Sequence, residues 1–298
     1  MSETAFLLAP AYILFFLGML LRRTGILDNV GARLLFRLVY SVSMPVMVLL
    51  VFPCISLSSE IAKASLLALP AVAAVSAAAA AAAGSMFRLP EEKRLALFRG
   101  TLSTNTGLLI PFIQALYGDE GLAILFLFWG AGAIAASLFL HLPVSFGQLS
   151  GTEGKAVRAF LAPALIALLC GLAMNLLGLR FDPVAAATMH EIGKLTVPLL
   201  LFASGASTIL PKTGKAGLFA GSIACMTAGA AVALPLALFM ELGETTRMVA
   251  VLCAAAPAGL LYKGALRLEN RDGEFPEIFA SSGMLAFLIL VPVLLFIL

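Results

Sequence analysis

The sequence predicts an all-α membrane protein of ten transmembrane helices, arranged as two inverted repeats of five helices each. Three observations lead to this fold class: an apolar composition, ten apolar segments, and a sequence motif that occurs once near the start of the chain and again just after its middle. Of the 298 residues, 61% are hydrophobic and 12% are charged, whereas average soluble domains contain about 45–50% and about 25%. A mean hydropathy of +1.06 indicates that lipid is the solvent of this chain.

Ten segments are long and apolar enough to cross a bilayer, which takes roughly 20 residues of helix. Gly, Pro and charged residues fill the gaps between them, as expected of loops. Spans 4 and 9 are the least regular, because Asn, Thr, Pro and Lys interrupt their apolar runs. The predicted spans are 4–21, 34–52, 62–86, 95–117, 120–141, 159–178, 187–209, 216–240, 246–268 and 277–298.

The distribution of Lys and Arg predicts the orientation of the spans. Twelve of the 19 basic residues fall in loops that follow odd-numbered spans, and three fall in loops that follow even-numbered spans. Since basic loops stay in the cytoplasm, both termini are predicted to be non-cytoplasmic. The first 18 residues lack a basic region and a small-residue cleavage site, so we interpret them as a membrane span and not a signal peptide.

One sequence motif of 11 residues occurs twice, at an offset of 153 residues. "LAPAYILFFLG" (Leu8–Gly18) in span 1 matches "LAPALIALLCG" (Leu161–Gly171) in span 6, and the same offset places Pro45 of span 2 on Pro198 of span 7. The offset is close to half the chain length, which predicts one duplication. We divide the chain into a first repeat at 1–149 and a second at 150–298.

Five spans are an odd number, so the second repeat is inverted relative to the first. Inverted repeats are typical of secondary transporters, whose substrate site lies near the midplane where the two halves meet. Interrupted helices in matching spans are the best sequence indication of such a site. Spans 4 and 9 are both the fourth of their half, and both carry such interruptions.

The centre of span 4 reads Ser-Thr-Asn-Thr-Gly at 103–107, followed by Pro111, and span 9 contains Pro257 and Gly259. A proline removes a backbone N–H and clashes with the carbonyl four residues earlier, which would free the carbonyls of Gly107 and Cys253. Interrupted backbone at membrane depth persists only where it is packed in protein or lines a cavity. The alternative is a pair of kinks that serve packing alone.

Polar residues near these interruptions are the predicted substrate-binding residues. The amide of Asn105 can bind a carboxylate without a buried charge, although it could instead form an interhelical hydrogen bond. Lys263 could add positive charge to the site, or extend to the inner interface. Helix N-termini suit anions and C-termini suit cations, so helix dipoles alone do not decide the sign of the substrate. The predicted set is Thr104, Asn105, Thr106, Gly107, Pro111, Gln114, Pro257, Gly259, Tyr262 and Lys263.

The composition and motifs argue against other classes of protein. The net charge of +3 is scattered, which does not suggest nucleic-acid binding. No H-E-x-x-H, G-x-S-x-G or P-loop motif occurs, and the four cysteines and two histidines show no metal-ligand spacing. We predict no enzyme, no catalytic residue, no metal site and no cofactor, apart from a coupling proton or sodium ion.

Four stretches together resemble the auxin efflux carrier family, which includes bacterial malonate and malate carriers and plant PIN-type exporters. They are "LFFLGMLLRRTGIL", "SVSMPVMVLL", "STNTGLLIPFIQALYGDEG" and "LLCGLAMNLLGLRFDP…IGKLTVPLLLFASGAS". The resemblance implies crossed, broken helices 4 and 9, a scaffold of helices 1, 2, 6 and 7, a mobile bundle of the rest, and often a homodimer. It also implies organic-anion substrates and elevator-like motion, with Asn105 as the carboxylate-binding asparagine.

Two departures from the plant pattern favour a bacterial-type carrier of small carboxylates. The N-P-N-x-Y pattern is absent because Thr106 follows Asn105, and the loop at 142–158 is too short for a regulatory domain. We therefore predict a secondary transporter of a small organic mono- or dicarboxylate in the bacterial inner membrane. The alternatives are a sodium-coupled symporter of bile-acid-carrier architecture, in which freed carbonyls hold cations, and a membrane sensor that binds ligand without transport.

Overall fold

The structure is a computed structural model that describes residues 2–68, 70–71, 74–75, 78, 104–141, 151–209, 216–257 and 274–297. Regular structure within these residues is helical, apart from an isolated β-bridge at Thr104. The helices are α1 (Ser2–Arg23), α2 (Asn29–Leu38), α3 (Met44–Cys54), α4 (Ser59–Leu66), α5 (Ile110–His141), α6 (Gly151–Leu176), α7 (Pro183–Lys194), α8 (Thr196–Ala206), α9 (Ala216–Phe239), α10 (Glu244–Ala254) and α11 (Glu274–Ile297). A π-helical turn at Val39–Ser43 joins α2 to α3, and a 3₁₀ turn at Thr106–Leu109 leads into α5.

Several helices are long and apolar enough to span a bilayer, so the protein is an integral helical membrane protein. Asn29–Cys54, Thr106–Ile134 and Phe219–Phe239 meet this criterion within the described residues, and Pro163–Leu176 and Ile278–Val291 are shorter apolar helices. The total of ten spans and their inverted arrangement stay predictions.

Short polar side chains start the helices that follow loops. Asp28 Oδ1 accepts the N–H of Gly31 at 2.7 Å at the start of α2. Asp182 Oδ1 accepts the N–H groups of Val184 and Ala185 at 2.9 and 3.2 Å at the start of α7. These side chains satisfy donors that have no partner inside the helix. The loops before spans 2 and 7 are therefore specified by local sequence.

The boundary predicted between spans 4 and 5 falls at Gly118. Its φ of 57° and ψ of −148° are non-helical and interrupt α5. A left-handed φ of this kind favours glycine, which has no Cβ to clash with the backbone. The chain can therefore change direction here between two helical segments.

Spans 2 and 7 are both interrupted next to their shared proline. The π-helical turn at Val39–Ser43 comes just before Pro45, and α7 gives way to α8 at Leu195, three residues before Pro198. A proline removes one N–H and displaces the carbonyl of the preceding turn, and a wider turn is one way for a helix to accommodate it. The sequence places the prolines but does not specify these two different distortions.

Close helix packing depends on glycines in two pairs of spans. A Cβ at Gly18 of α1 would overlap the backbone of Phe202 in α8, and a Cβ at Gly205 of α8 would overlap the backbone of Phe15 in α1. Helix α6 packs against α3 at Gly171, where a Cβ would lie 3.1 Å from the Cβ of Phe52. Small residues of this kind allow membrane helices to approach closely.

Asn175 of α6 also binds the end of α3. Its Nδ2 donates to the carbonyl oxygens of Phe52 and Ile55 at 2.6 and 2.7 Å. The last carbonyls of a helix have no partner within the helix, so this side chain satisfies two acceptors at once. Helices α3 and α6 are thus joined by polar as well as apolar contacts.

Candidate functional site

The interrupted centres of spans 4 and 9 are in direct contact. The backbone N–H of Asn105 donates to the carbonyl oxygen of Pro257 at 2.7 Å. Asn105 has a non-helical φ of −85° and ψ of 61°, and Pro257 lies beyond the end of α10 at Ala254. The two predicted interruptions therefore meet, one from each half of the sequence. The outer parts of these spans, 95–103 and 258–268, lie outside the described residues.

Tight turns satisfy the two carbonyls that the prolines were expected to free. The carbonyl of Gly107 accepts the N–H of Ile110, and that of Cys253 accepts the N–H of Ala256 at 3.2 Å. Both bonds have 3₁₀-type spacing, which is common where an α-helix begins or ends. The expectation of free carbonyls at these two positions is wrong, because each carbonyl accepts a hydrogen bond from the N–H of the residue three positions later.

Pro111 also has a different role from the one expected of a helix-breaking proline. It is buried as the second residue of α5, where a missing N–H costs little and the fixed φ suits the helix start. Pro111 therefore starts a helix after the interruption and does not cause it. The interruption itself lies at Asn105 and the following 3₁₀ turn.

The side chain of Asn105 is buried and has no hydrogen-bond partner. Only 3% of the residue is exposed, and neither Nδ2 nor Oδ1 forms a hydrogen bond. The side chain does not cap the 3₁₀ turn that follows it. An unpaired buried polar group costs about 1–3 kcal/mol, so such a group in a native site needs an explanation. A bound ligand that pairs with the amide would supply one.

A second unpaired group lies next to this amide. Thr106 is 1% exposed, and its Oγ1 forms no hydrogen bond. The interhelical hydrogen bond that was the alternative role for Asn105 is not formed within the described part of the chain. Asn105 and Thr106 together offer both donors and acceptors to a ligand.

Spans 2 and 7 border this site. A Cβ built on Gly107 would lie 3.3 Å from Tyr40 Oη, 3.3 Å from Leu200 Cδ2 and 3.5 Å from Asn105 Oδ1. Tyr40 comes from the π-helical turn and Leu200 from α8. The absence of a side chain at position 107 thus lets the interrupted segment lie against these two spans. Sequence reasoning missed Tyr40 and Leu200, since nothing in their local pattern points to the site.

Spans 2 and 7 also carry two buried hydroxyls that the sequence analysis did not single out. Ser43 Oγ and Thr196 Oγ1 are unpaired, and both residues are almost fully buried. Their positions differ by the repeat offset of 153 residues, and each stands two residues before the shared proline, in Ser-Met-Pro and Thr-Val-Pro. A hydroxyl next to a duplicated proline is the signal that could have identified them.

The remaining predicted site residues differ in their placement. Thr104 is half-buried, Pro257 is buried, and Gln114 is exposed on α5. Gln114 is therefore not part of the buried cluster around Asn105. The predicted site residues Gly259, Tyr262 and Lys263 lie outside the described residues.

Charged groups are absent from the buried site as far as the described residues extend. The buried polar residues there carry hydroxyl or amide groups. Lys194 Nζ and Glu191 Oε1 form an ion pair at 2.7 Å that is exposed. Their i, i+3 spacing places the two side chains next to each other on the helix surface. The described residues include no group of three His, Cys, Asp or Glu side chains placed to hold a metal ion.

These features define a class: a helical membrane protein whose interrupted segments meet at a buried polar site, as in secondary transporters. Residues 5–145 match the family described as "Membrane transport protein". The chain is also similar to an uncharacterized transporter of Methanocaldococcus jannaschii, with 27% identity over 225 residues that cover 71% of each chain. The resemblance to the auxin efflux carrier family is therefore confirmed.

Proposed function

We propose that this protein is a secondary transporter of a small organic anion, a mono- or dicarboxylate, that works by alternating access with elevator-like motion. The observation that carries the proposal is the amide of Asn105, which is buried and unpaired where the two interrupted segments meet. A site of this kind at membrane depth is expected to bind a polar solute.

The chemistry of the described residues favours an anion over a cation. Asn105 Nδ2 can donate to a carboxylate oxygen, while Oδ1 can accept from a hydroxyl group or a water molecule of the bound solute. A neutral amide avoids the high cost of a charged side chain in the membrane. The N-terminal end of the Thr106–Leu109 turn and α5 adds positive dipole character. Lys263 would supply further positive charge.

The sodium-coupled alternative is weaker at this site. It requires backbone carbonyls that hold a cation, but those of Gly107, Cys253 and Pro257 each already accept an N–H. The side-chain amide of Asn105 and the hydroxyl of Thr106 are the groups of this segment that are left without a partner. A proton or a sodium ion could still couple to transport elsewhere in the protein.

The proposed motion follows from the division into scaffold and bundle. Spans 1, 2, 6 and 7 would form the scaffold, and the contacts of α1 with α8 and of α6 with α3 support this grouping. The other spans would move as a bundle that carries Asn105 past Tyr40 and Leu200. We further propose that the units 1–149 and 150–298 are the inverted repeats, that the protein forms a homodimer, and that both termini are non-cytoplasmic in a bacterial inner membrane.

Transport in proteoliposomes tests the proposal. Purified protein is first screened with mono- and dicarboxylates by thermal shift, and radiolabelled malonate and the best ligand are then measured for uptake. Uptake that needs the protein and is abolished by excess unlabelled ligand supports the proposal. Uptake that follows an imposed sodium gradient would favour the symporter, and binding without flux would favour the membrane sensor.

A further inference from the structure

In helix α11 one backbone carbonyl lacks its usual α-helical donor. The helix runs from Glu274 to Ile297, and the residue four positions after Leu288 is Pro292. Since proline has no N–H, the carbonyl of Leu288 loses its usual intrahelical donor. Leu288 is 5% exposed, and an unsatisfied backbone group in a membrane is costly.

Tyr12 of α1 supplies the missing donor. Its Oη donates to the carbonyl oxygen of Leu288 at 2.8 Å. The bond joins the first predicted span to the tenth, which are at opposite ends of the sequence. A side chain of one helix therefore completes the hydrogen bonding of another.

Aromatic contacts hold the ring of Tyr12 independently of its hydroxyl. The Tyr12 and Phe112 rings meet edge to face, with centroids 5.8 Å apart and planes at 69°. Phe112 of α5 in turn meets Phe287 of α11, with centroids 6.4 Å apart and planes at 76°. Aromatic pairs prefer this geometry. The ring position is thus fixed by packing, and the hydroxyl adds a directional bond.

We propose that Tyr12 is a latch between α1 and α11, which stabilises the present arrangement of these helices by replacing the donor that Pro292 removes. The inference rests on the proposed function in one respect, because α1 would belong to the scaffold and α11 to the moving bundle. Displacement of α11 along α1 separates the hydroxyl from the Leu288 carbonyl. The bond therefore favours this state over one in which the bundle has moved.

A double-mutant cycle with Tyr12→Phe and Pro292→Ala tests the latch in the full-length purified protein. Tyr12→Phe keeps the ring, and Pro292→Ala restores a backbone donor for Leu288. We expect Tyr12→Phe to lower the melting temperature by about 2–4 °C in the natural background, and by clearly less in the Pro292→Ala background. Equal effects in the two backgrounds would overturn the proposal, because they would show that the bond does not compensate for Pro292.

Tyr117→Phe is the matched control. Tyr117 is also half-buried, and its hydroxyl forms no hydrogen bond within the described part of the chain. The change in melting temperature caused by Tyr117→Phe should therefore be the same with Pro or Ala at position 292. If Tyr12→Phe alone gives no monodisperse protein, the double variant Tyr12→Phe/Pro292→Ala tests the proposal. Recovery of folded protein by Pro292→Ala supports the latch, and failure to recover contradicts it.

Malonate exchange across proteoliposomes tests whether the latch selects a state. We expect Tyr12→Phe to change the exchange rate by about two- to tenfold, the range that one lost hydrogen bond gives, and Pro292→Ala to reduce that change. An unchanged rate would contradict state selection. If the natural protein moves no malonate or other tested carboxylate, the proposed function fails, whereas the melting-temperature cycle still tests the bond itself.

Discussion

The backbone N–H of Asn105 and the carbonyl oxygen of Pro257 form a hydrogen bond of 2.7 Å. The two residues lie in different halves of the sequence, each at an interruption of an apolar span. At this contact Asn105 has a non-helical backbone conformation, and its side-chain amide is buried without a partner. The contact thus brings segments from both halves of the sequence together beside a buried, unpaired side-chain amide.

Replacing Asn105 by Ala should weaken substrate binding about 10- to 100-fold while the protein still folds. The reason is the loss of hydrogen bonds to a charged carboxylate, which contribute about 1.5–3 kcal/mol. Titration calorimetry with the best carboxylate from the thermal-shift screen measures the affinity, and size-exclusion chromatography checks folding. Asn29→Ala, at an exposed asparagine of α2, is the control. Binding by Asn105→Ala within twofold of the natural protein would remove Asn105 from the site.

Lys263→Gln should reduce affinity for dicarboxylates more than for monocarboxylates. A positive charge at the site would interact with the second carboxylate of the ligand, and glutamine removes that charge while it keeps a hydrogen-bonding end. Paired titrations with malonate and a monocarboxylate of similar size measure the difference. An equal loss for both ligands would instead indicate that Lys263 extends to the inner interface.

Thr196→Val should weaken ligand binding and leave the ligand-free protein as stable as before, or slightly more stable. The hydroxyl of Thr196 is buried without a partner, so an apolar group of the same shape relieves a desolvation penalty. Melting temperatures with and without ligand separate the two effects. Thr227→Val is the control, since that hydroxyl is exposed and bonds to the Ile223 carbonyl at 3.0 Å. A large loss of ligand-free stability would contradict this interpretation of Thr196.

Gly205→Ala should destabilise the protein by about 1–3 kcal/mol, the range of overpacked cores. The added Cβ would overlap the backbone carbonyl of Phe15, which cannot move without displacing α1. Thermal unfolding in detergent measures the loss. Gly31→Ala in α2 is the control, because its Cβ would meet the flexible end of Leu27 and alanine favours a helix. Similar stability of the two variants would argue against close α1–α8 packing.

Short-range sequence features, namely apolar runs, helix caps and prolines, made much of the fold predictable. Long apolar runs identify spans 1, 2, 6 and 7, and the described helices occupy these segments with their caps at Asp28 and Asp182. The interruptions at Asn105 and Pro257 were also predictable, because proline and clustered polar residues disfavour a continuous helix. Their exact form was not, since 3₁₀ and π turns depend on how neighbouring helices pack.

The sequence by itself determined the membrane environment, the apolar segments and the two interrupted spans, because hydrophobicity and missing backbone donors act over a few residues. Only the tertiary structure decided which polar groups meet partners and which do not. Ser43 and Thr196 are left unpaired, whereas Tyr12 reaches the Leu288 carbonyl from the opposite end of the chain. Hydrogen bonds act over about 3 Å, so pairings between distant residues depend on helix placement that no local pattern contains.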